Sequence, residues 1–401
     1  MNEHQLLKAV PESKTTRPPK HKAANPIDAA LQAWLDSLPT DILALVPPEI
    51  QDIKASGAPK RWVVYPPMVL LPSGSFEQSW WKSLPGCVSQ HIDSLWRMTL
   101  EHIGKREGKG LLTHLATNAG IPLNKSEDED ENVLRTPSGL LMHFGDFGPA
   151  LDPAKSPSET DFAEAFWVST KQNGITQIWA PRYTMFSRGN IKEKARILNF
   201  HNDPRALKYK SRSELSKETA VDLYAGIGYF VFSYVKMGMK RVFGWELNPW
   251  SVEGLRRGAL ANGWTVKVVR EGDILTFKDE NIVVLLEDNM KAARRLKVLR
   301  EKDEFFVSHV NCGLLPSSEA SWETALEVLD QEGWLHLHEN VGVADIANRK
   351  SEIEDGLQRT SNKYLNQRRV KADEVELVKT FAPGVWHCVF DVYISSSLMQ
   401  H

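Results

Sequence analysis

The sequence predicts an α/β fold in which a doubly wound sheet with one reversed strand follows a smaller mixed α/β domain. From about residue 218, strand and helix patterns alternate, starting with a strand at 220–223 and a glycine turn. Alternating units of this kind build largely parallel sheets. At the other end, strand patterns at 375–381 and 386–394 are separated only by Ala382-Pro383-Gly384. Because so short a connection requires antiparallel strands, we expect the sheet to close with a C-terminal hairpin.

The composition is that of a globular chain. Its 401 residues suffice for two domains, and 42% of them are hydrophobic and 25% charged. No apolar run approaches the roughly 18 residues of a membrane helix. The three cysteines, Cys87, Cys312 and Cys388, lie too far apart for a disulfide framework or for metal-ligand spacing, which favours a cytoplasmic location. The net charge of -2 means that any nucleic-acid surface must gather basic residues on one face.

Three segments are predicted along the chain. Residues 1–59 form a lead-in that is partly disordered, with one short helix that begins at Asn25-Pro26. Residues 60–205 form the smaller α/β domain, which is expected to face the substrate, and residues 206–401 form the doubly wound domain. The strand patterns of the smaller domain span 61–65, 69–71, 139–144, 165–169 and 175–179.

The doubly wound segment contains clear start and stop signals. A helix at 229–237 is expected to end at Gly238, and a second strand follows at 241–246. Asn248-Pro249 supplies an N-cap followed by proline at the first helical position, and Asn262-Gly263 ends that helix. Further strands are predicted at 282–286, 305–310 and 334–341.

The glycine turn Val221-Asp222-Leu223-Tyr224-Ala225-Gly226-Ile227-Gly228 lies between a predicted strand and a predicted helix. At this position Gly226 and Gly228 allow the backbone to approach a ligand where a Cβ atom would collide with it. Glu246 ends the next strand, where an acid accepts the hydroxyl hydrogens of an adenosine ribose. These residues predict an adenosine-containing ligand.

Two features favour S-adenosylmethionine over a dinucleotide. Phe230 and Val231 stand near the place of the third glycine of the dinucleotide pattern, so that pattern fails. Asp222 is a carboxylate close to the ligand, which suits the cationic amino end of S-adenosylmethionine and opposes a pyrophosphate. The prediction is therefore a class I S-adenosylmethionine-dependent methyltransferase fold, which is Rossmann-like.

Two segments compete for the adenine contacts: Gly272-Asp273 and Glu287-Asp288-Asn289. The second is favoured because it directly follows the strong apolar run at 282–286. Asn311 ends the fourth strand, and ligands of such sheets lie beyond the carboxyl ends of the strands. Asp222 and Asn311 are therefore the predicted catalytic residues, on the basis of position alone.

Several segments of the chain resemble the tRNA wybutosine-synthesizing aminocarboxypropyltransferases, which are relatives of the tRNA guanine-37 N1-methyltransferases. The resemblance covers roughly residues 60 to 401, and the loop Leu314-Leu315-Pro316-Ser317-Ser318 is its most specific part because the methyltransferases differ there. The matching segments are the glycine turn, Glu246-Leu247-Asn248-Pro249, Asn311-Cys312-Gly313 with the loop that follows it, His336-Leu337-His338-Glu339-Asn340-Val341 and Met185-Phe186-Ser187-Arg188-Gly189-Asn190.

The resemblance implies transfer of the 3-amino-3-carboxypropyl group of S-adenosylmethionine to C7 of 4-demethylwyosine at position 37 of phenylalanine tRNA. Methylthioadenosine is the product that leaves. The implied cofactor contacts are Ser187, Lys194, Glu246, Asp288 and Asn289. We hypothesise that Lys194 pairs with the carboxylate of the methionine tail; the alternative is a surface lysine in a basic stretch.

Two other functions are also compatible with the sequence. One is methyl transfer to N1 of guanine-37, against which the loop at 314–318 argues. The other is a non-catalytic tRNA-binding protein on the same fold, against which Gly226, Gly228 and Glu246 argue. Product analysis separates the first alternative, and a cofactor-binding measurement separates the second.

The expected partner is the anticodon loop of phenylalanine tRNA, bound by basic residues near the active cleft. His336 and His338 alternate on a strand and share a face, but no third ligand accompanies them at a suitable spacing, so no metal site is predicted. The basic clusters of the sequence are Lys192, Lys194 and Arg196, then Arg205, Lys208, Lys210 and Arg212, and then Arg368, Arg369 and Lys371.

Overall fold

The computed structural model describes residues 25–118, 140–152, 155–203, 208–364 and 368–396. The predicted disorder before Asn25 and the predicted basic residue Arg205 lie outside these ranges. The chain forms two compact units, one of residues 1–60 with 76–108 and one of residues 61–75 with 109–401. The predicted division into 1–59, 60–205 and 206–401 stays a prediction.

The first unit is helical in its described part. Asn25 caps the first helix, as predicted, because its side-chain oxygen accepts a hydrogen bond from the Ile27 amide at 2.9 Å. The buried face of this helix includes Leu31 and Trp34, and the Trp34 indole donates to the carbonyl of His91 at 3.0 Å. The helices of this unit are α1 (Pro26–Ser37), α2 (Thr40–Leu43), α3 (Pro48–Gln51), α4 (Ser79–Lys82), α5 (Gly86–Ser89) and α6 (Ile92–Glu107).

The second unit begins with two small sheets. The predicted strand at 165–169 begins instead at Val168, because a helix ends at Glu164 and an extended residue follows it. Ser158 caps that helix and forms a capping box with Asp161. The four-stranded sheet has the order β1 (Val63–Tyr65), β2 (Met68–Leu71), β3 (His114–Thr117), β4 (Leu141–Phe144); the helix is α7 (Glu159–Glu164), and the two-stranded sheet contains β5 (Val168–Gln172) and β6 (Ile175–Trp179).

The third sheet of this unit has eight strands, in the order β13-β14-β12-β11-β7-β8-β10-β9. Its strands are β7 (Glu218–Asp222), β8 (Arg241–Glu246), β9 (Val266–Arg270), β10 (Ile282–Leu286), β11 (Phe306–Cys312), β12 (Gly333–Gly342), β13 (Arg369–Ala382) and β14 (Val385–Ser395). Strand β14 runs antiparallel to both of its neighbours, and the other pairings are parallel. The predicted doubly wound sheet with one reversed strand and a C-terminal hairpin is therefore confirmed.

Helices cover both faces of this sheet, and each face has its own apolar cluster. The helix predicted from residue 229 begins at Val231, because the turn after Gly228 extends through Phe230. Asn248 caps the next helix, as its proline signal predicts. The helices are α8 (Ile191–Leu198), α9 (Arg212–Leu215), α10 (Val231–Met237), α11 (Pro249–Ala261), α12 (Ala292–Arg300), α13 (Trp322–Val328) and α14 (Ile346–Tyr364).

The two edges of the large sheet depart from the predicted pattern. Strand β9 was not predicted, and it forms one edge beside β10. At the other edge, β13 is longer than the predicted strand at 375–381. Its pairing with β14 is interrupted by irregularities between Ala372 and Glu374, Leu377 and Lys379, and Thr380 and Ala382. A residue inserted in this way re-aims the neighbouring side chains.

No helix in the described ranges is both long enough and apolar enough to cross a membrane.

Candidate active site

The glycine turn follows β7 and comes close to the end of β8. Gly226 has φ of +53° and Gly228 has φ of +89°, both in the left-handed region that favours glycine. A Cβ atom on Gly228 would lie 2.5 Å from the Phe232 ring. The Ala225 amide donates to the carbonyl of Trp245 at 2.8 Å, which fixes the turn to β8. The turn therefore has a defined shape that other residue types would disturb.

Glu246 lies where β8 ends, beside this turn. One of its carboxylate oxygens accepts a hydrogen bond from the Gly226 amide at 2.8 Å, and the other accepts from the Asn248 amide at 2.8 Å. The carboxylate is thus oriented by two backbone donors. Carboxylate oxygens have further lone pairs, so Glu246 can still accept the hydroxyl hydrogens of a ribose.

Asp222 is fully buried at the end of β7. One of its carboxylate oxygens accepts two hydrogen bonds, and the other accepts none of normal geometry in the described ranges. Its Oδ1 accepts from the Tyr224 amide at 3.1 Å and from the Asn311 amide group at 3.0 Å. Its Oδ2 has no hydrogen-bond partner of normal geometry in the described part of the chain, although the Val231 amide contributes a favourable contact. Burial raises the pKa of Asp222 to about 6. A cation beside Oδ2 would reverse that rise.

A directional chain of hydrogen bonds lies behind Asp222. Since Asn311 donates to Asp222, its own carbonyl oxygen is left to accept from His338 Nε2, 3.2 Å away. His338 must then accept at Nδ1, and His387 Nε2 donates to it over 2.9 Å. Burial holds the pKa of His338 well below its usual value and lowers that of His387 to about 4. Both rings are therefore neutral at physiological pH, as the directions of these hydrogen bonds require.

Asn311 itself is fully buried, and both ends of its amide are occupied. It lies next to Asp222, and its contacts are those of a residue that orients Asp222, while the catalytic role predicted for the two residues stays a prediction. The sequence did not predict that His338 and His387 take part in these hydrogen bonds, because only the alternation of His336 and His338 was visible in it. The pairing of His338 with His387 across β12 and β14 depends on strand register, which no local signal gives.

Ser187 is held beside the glycine turn by Tyr229. The Ser187 amide donates to the Tyr229 hydroxyl at 3.2 Å, and that hydroxyl donates to the carbonyl of Met185. The Tyr229 ring faces Phe186 at a centroid distance of 6.2 Å and an angle of 25°. The segment at 185–187 and the glycine turn are therefore joined, although they are far apart in sequence.

Lys194 is buried on α8, with only 3% of its surface exposed. Its ammonium donates to side-chain oxygens of Gln172 at 2.7 Å and of Gln177 at 2.9 Å. It also lies 4.9 Å from the centre of the Phe186 ring. No carboxylate pairs with it among the described residues, and burial lowers its pKa to about 8. The alternative of a surface lysine is thus wrong, and Lys194 is a buried cation without a buried anion.

The two segments that compete for the adenine follow different strands. Asp288 and Asn289 follow β10, which neighbours β8, and Asn289 donates to the carbonyl of Leu223 in the glycine turn at 2.8 Å. Asp288 caps the next turn by accepting from Met290 at 2.8 Å. Asp273 follows the edge strand β9 instead, where its carboxylate accepts from the Arg270 amide at 2.9 Å. The structure therefore brings Asn289, but not Asp273, to the glycine turn.

The loop at 314–318 is held by Glu339, which has only 3% of its surface exposed. One oxygen of Glu339 accepts from the Ser318 amide at 2.9 Å and from the hydroxyls of Ser317 and Ser318, each at 3.1 Å. Its other oxygen pairs with Arg349 at 3.2 Å. The loop that distinguishes the resembled family is therefore fixed to β12 at the carboxyl end of the sheet.

Most of the described basic residues in the clusters predicted to bind tRNA have partners within the chain. The contacts are ion pairs of Lys192 with Glu376, of Arg196 with Glu193 and Asp391, of Lys208 with Glu374 and of Lys210 with Glu218, and hydrogen bonds from Arg368 to the carbonyls of Leu326, Leu329 and Asp330. These side chains are less available for phosphates than their spacing in the sequence indicated.

His336 belongs to a second buried network. Its Nε2 shares a hydrogen bond with Nδ1 of His309 at 3.0 Å, and its Nδ1 lies 2.7 Å from a carboxylate oxygen of Asp391. His309 in turn contacts His201 at 2.8 Å. In the described ranges no group of three or more His, Cys, Asp or Glu side chains has the arrangement of a metal site.

The fold and the site define a Rossmann-like, S-adenosylmethionine-dependent transferase. Comparison with known proteins narrows this class. The chain is 44% identical over 338 residues to tRNA wybutosine-synthesizing protein 2 of Schizosaccharomyces pombe, covering 83% of this chain and 72% of that protein. The protein of the same name from Saccharomyces cerevisiae is 33% identical over 371 residues, which cover 83% of this chain and 74% of that protein. The chain belongs to the tRNA wybutosine-synthesizing protein 2 family. No protein-family model matches it.

Solved structures with low sequence identity share the fold. Pyrococcus horikoshii TYW2, solved with MeSAdo, is 17% identical with a TM-score of 0.53 and covers 92% of this chain and 100% of that chain. Trm5b from Pyrococcus abyssi is 15% identical with a TM-score of 0.53, and the match covers 89% of this chain and 81% of that chain. The class I methyltransferase fold predicted from the sequence is thereby confirmed.

Proposed function

We propose that this protein transfers the 3-amino-3-carboxypropyl group of S-adenosylmethionine to C7 of 4-demethylwyosine at position 37 of phenylalanine tRNA. When bound, S-adenosylmethionine would supply a sulfonium whose γ-carbon forms a bond to C7 as the bond from that carbon to sulfur breaks. The electrons of the broken bond leave with methylthioadenosine, and the hydrogen on C7 is lost to solvent as a proton. Membership of the wybutosine family supports the substrate. A cytoplasmic location, where the tRNA would be modified, is part of the proposal.

The observation that carries the proposal is the buried ammonium of Lys194, which has no carboxylate partner among the described residues. A carboxypropyl donor must be held by its amino-acid tail, because that tail is what is transferred. Lys194 suits the carboxylate of the tail, and Asp222, whose Oδ2 has no hydrogen-bond partner of normal geometry among the described residues, suits its ammonium. The amino-acid tail of S-adenosylmethionine carries one charge that is opposite to Lys194 and one that is opposite to Asp222.

The other residues of the site hold the adenosine part. Gly226 and Gly228 let the backbone approach it, and Glu246 accepts the ribose hydroxyls. Asp288 and Asn289 are proposed for the adenine, which the contact of Asn289 with the glycine turn supports. Ser187, fixed by Tyr229, is proposed to position the tail so that the γ-carbon, and not the methyl, faces the base at a near-attack distance of about 3–3.5 Å.

The test is incubation with phenylalanine tRNA that bears 4-demethylwyosine, with the cofactor labelled separately on the methyl group and on the methionine chain. The expected product gains the mass and label of the aminocarboxypropyl group, and methylthioadenosine is released. Methyl label in the base would instead show N1-type methylation. Absence of cofactor binding in calorimetry would support a non-catalytic tRNA-binding protein.

A further inference from the structure

A cavity of about 500 Å³ lies in the second unit, beside Ser187. Its deep wall is aromatic: Tyr65, Trp179 and Phe186 are each less than a tenth exposed, and the Trp179 and Phe186 rings stack at 4.7 Å. Trp62, which is half-buried, lines the same cavity. The volume is in the range of pockets that take one small organic molecule, so it has room for a single extruded nucleobase.

The charged side chains that line this cavity in the described ranges are all positive. Arg61, Arg188 and Lys379 line it, and no Asp or Glu is among its described lining residues. The whole chain has 51 acidic and 49 basic residues, so a local excess of three cations is unlike the average surface. None of the three has a hydrogen bond or an ion pair to another described side chain. They differ in this from the paired lysines and arginines of the predicted basic clusters.

Lys379 is aimed at the cavity by the fold. It follows the irregularity between Leu377 and Lys379 in β13, and its side chain crosses the backbone of Gly189. A Cβ atom on Gly189 would lie 2.6 Å from the Lys379 ammonium. Burial lowers the pKa of Lys379 from its usual value. A half-buried cation held in this position, without a partner in the described chain, is suited to an anion from outside.

We propose that this cavity takes the extruded base of the tRNA anticodon loop and that Arg188 and Lys379 bind its flanking phosphates. Bases in RNA loops are bound by stacking on aromatic side chains, and phosphates by unpaired cations. The hydrogen bonds of Tyr229 to Ser187 and Met185 join the cavity wall to the glycine turn, so a base here lies beside the cofactor. This inference rests on the proposed function for the identity of the tRNA.

The experiment compares Arg188→Gln, Lys379→Gln and Trp62→Ala with the wild type and with Lys240→Gln. Lys240 is an exposed lysine just before β8, at the opposite end of the strand from Glu246. The affinity for the modified tRNA is measured over a series of salt concentrations, and cofactor affinity is measured by calorimetry. Thermal unfolding of each variant checks that it folds.

We expect the two charge variants to weaken tRNA binding several-fold and to reduce the slope of log K against log salt by about 0.7 to 0.9 each. Trp62→Ala should weaken binding at least about fivefold without changing that slope. Cofactor affinity should stay within about twofold of the wild type, and Lys240→Gln should resemble the wild type throughout.

Two outcomes would overturn the inference. Loss of cofactor affinity in Arg188→Gln or Lys379→Gln would assign the cations to the methionine carboxylate, and unchanged tRNA binding would show that they are only solvated. Both readouts are binding measurements, so they are independent of the product analysis. A wild type that binds tRNA through these residues but forms no modified base would overturn the proposed function alone.

Discussion

Lys194 combines deep burial with the lack of a described anionic partner, an arrangement that destabilises a folded protein. Its pKa of about 8, against 10.5 in water, corresponds to a cost of roughly 3 kcal/mol. The two glutamines that contact it are neutral and offset only part of this cost. Such an arrangement is expected where a ligand supplies the missing charge.

The affinity for S-adenosylmethionine should therefore depend on pH through Lys194. Below about pH 8 the ammonium is charged and ready for a carboxylate, whereas above it the free protein loses the charge, and affinity should fall by up to tenfold per pH unit. Calorimetry between pH 7 and 9.5 measures this. Lys194→Met should bind at least about tenfold more weakly at pH 7 and should lack the Lys194 part of the slope. Lys192→Met, at an exposed lysine two residues earlier, is the matched control; equal affinities of the two variants would contradict the assignment.

The hydrogen bonds behind Asp222 give a second test at this scale. His338→Phe removes the donor to Asn311, so the Asn311 amide is free to turn and Asp222 loses a fixed partner; we expect a loss of about 1–3 kcal/mol in stability and a weaker affinity for the cofactor. His338→Gln keeps a donor at a similar reach and should restore part of the affinity. If both variants lose stability equally and bind the cofactor as the wild type does, His338 has only a structural role.

The sequence predicted which residues lie at the carboxyl ends of the strands, and the roles of these residues stay predictions. Asp222 and Glu246 each end a strand, Asn311 is the penultimate residue of β11, and the carboxyl ends of neighbouring parallel strands meet at one edge. It did not reveal the partners of Lys194, because Gln172 and Gln177 lie on β5 and β6 and reach it only through tertiary packing. No local feature of the sequence shows which distant element a side chain will contact.

At the scale of elements, the loop at 314–318 and strand β12 act together through Glu339. Glu339→Ala should leave the buried Ser318 amide and hydroxyl without their acceptor and should lower the rate of transfer while cofactor affinity changes little, because the loop lies beyond β11 and not in the glycine turn. Single-turnover kinetics and calorimetry separate the two quantities. Glu352→Ala removes an exposed partner of the same Arg349 and serves as control. A rate equal to that of wild type would show that the position of this loop is unimportant.

Elements with local signals were predicted well, and elements defined by their neighbours were not. The Asn248-Pro249 start of α11 and the strand at 241–246 match the structure, because a cap and an apolar run are local features. Strand β9 was missed: only one of its five residues is buried, and it is recognisable mainly by its pairing with β10.

At the scale of the whole molecule, four of the five buried histidines in the described ranges should control stability in acid. His201, His309, His338 and His387 are each at most 1% exposed, and burial lowers their pKa values, to about 4 for His201 and His387. The unfolded chain takes up protons at these rings below about pH 6.5 and the folded chain does not, so stability is lost as the pH falls from 6.5 toward 4. Each ring contributes up to about 1.4 kcal/mol per pH unit.

Asp222 and Glu193 oppose this trend, because burial raises their pKa values and the folded state protonates them first. Since the histidines outnumber these acids, we expect the melting temperature to fall by several degrees between pH 7 and pH 5. Thermal unfolding over that range measures the effect, with His102→Gln, a residue outside this set, as a control with an unchanged profile. A melting temperature that stays constant down to pH 5 would contradict it.

The distribution of charge over the molecule could not be obtained from the sequence. Spacing identified clusters of basic residues, but it gives no information on which of them lie beside an acid in the fold. Lys208 and Lys210 pair with Glu374 and Glu218, which are distant in sequence or lie on another element. Arg188 and Lys379, from separate elements, instead line one cavity.

The irregular pairing of β13 has a consequence for the behaviour of the protein in concentrated solution. A 14-residue strand at the border of a sheet has a long outer row of amide and carbonyl groups, to which a strand of another molecule can add. Side chains already bind part of this row, at the amides of Val370 and Ala372 and the carbonyls of Asp373 and Leu377. Its three interruptions twist that row and break its regular spacing. The insertion that turns Lys379 toward the cavity therefore also makes this border a poor template for intermolecular β-aggregation.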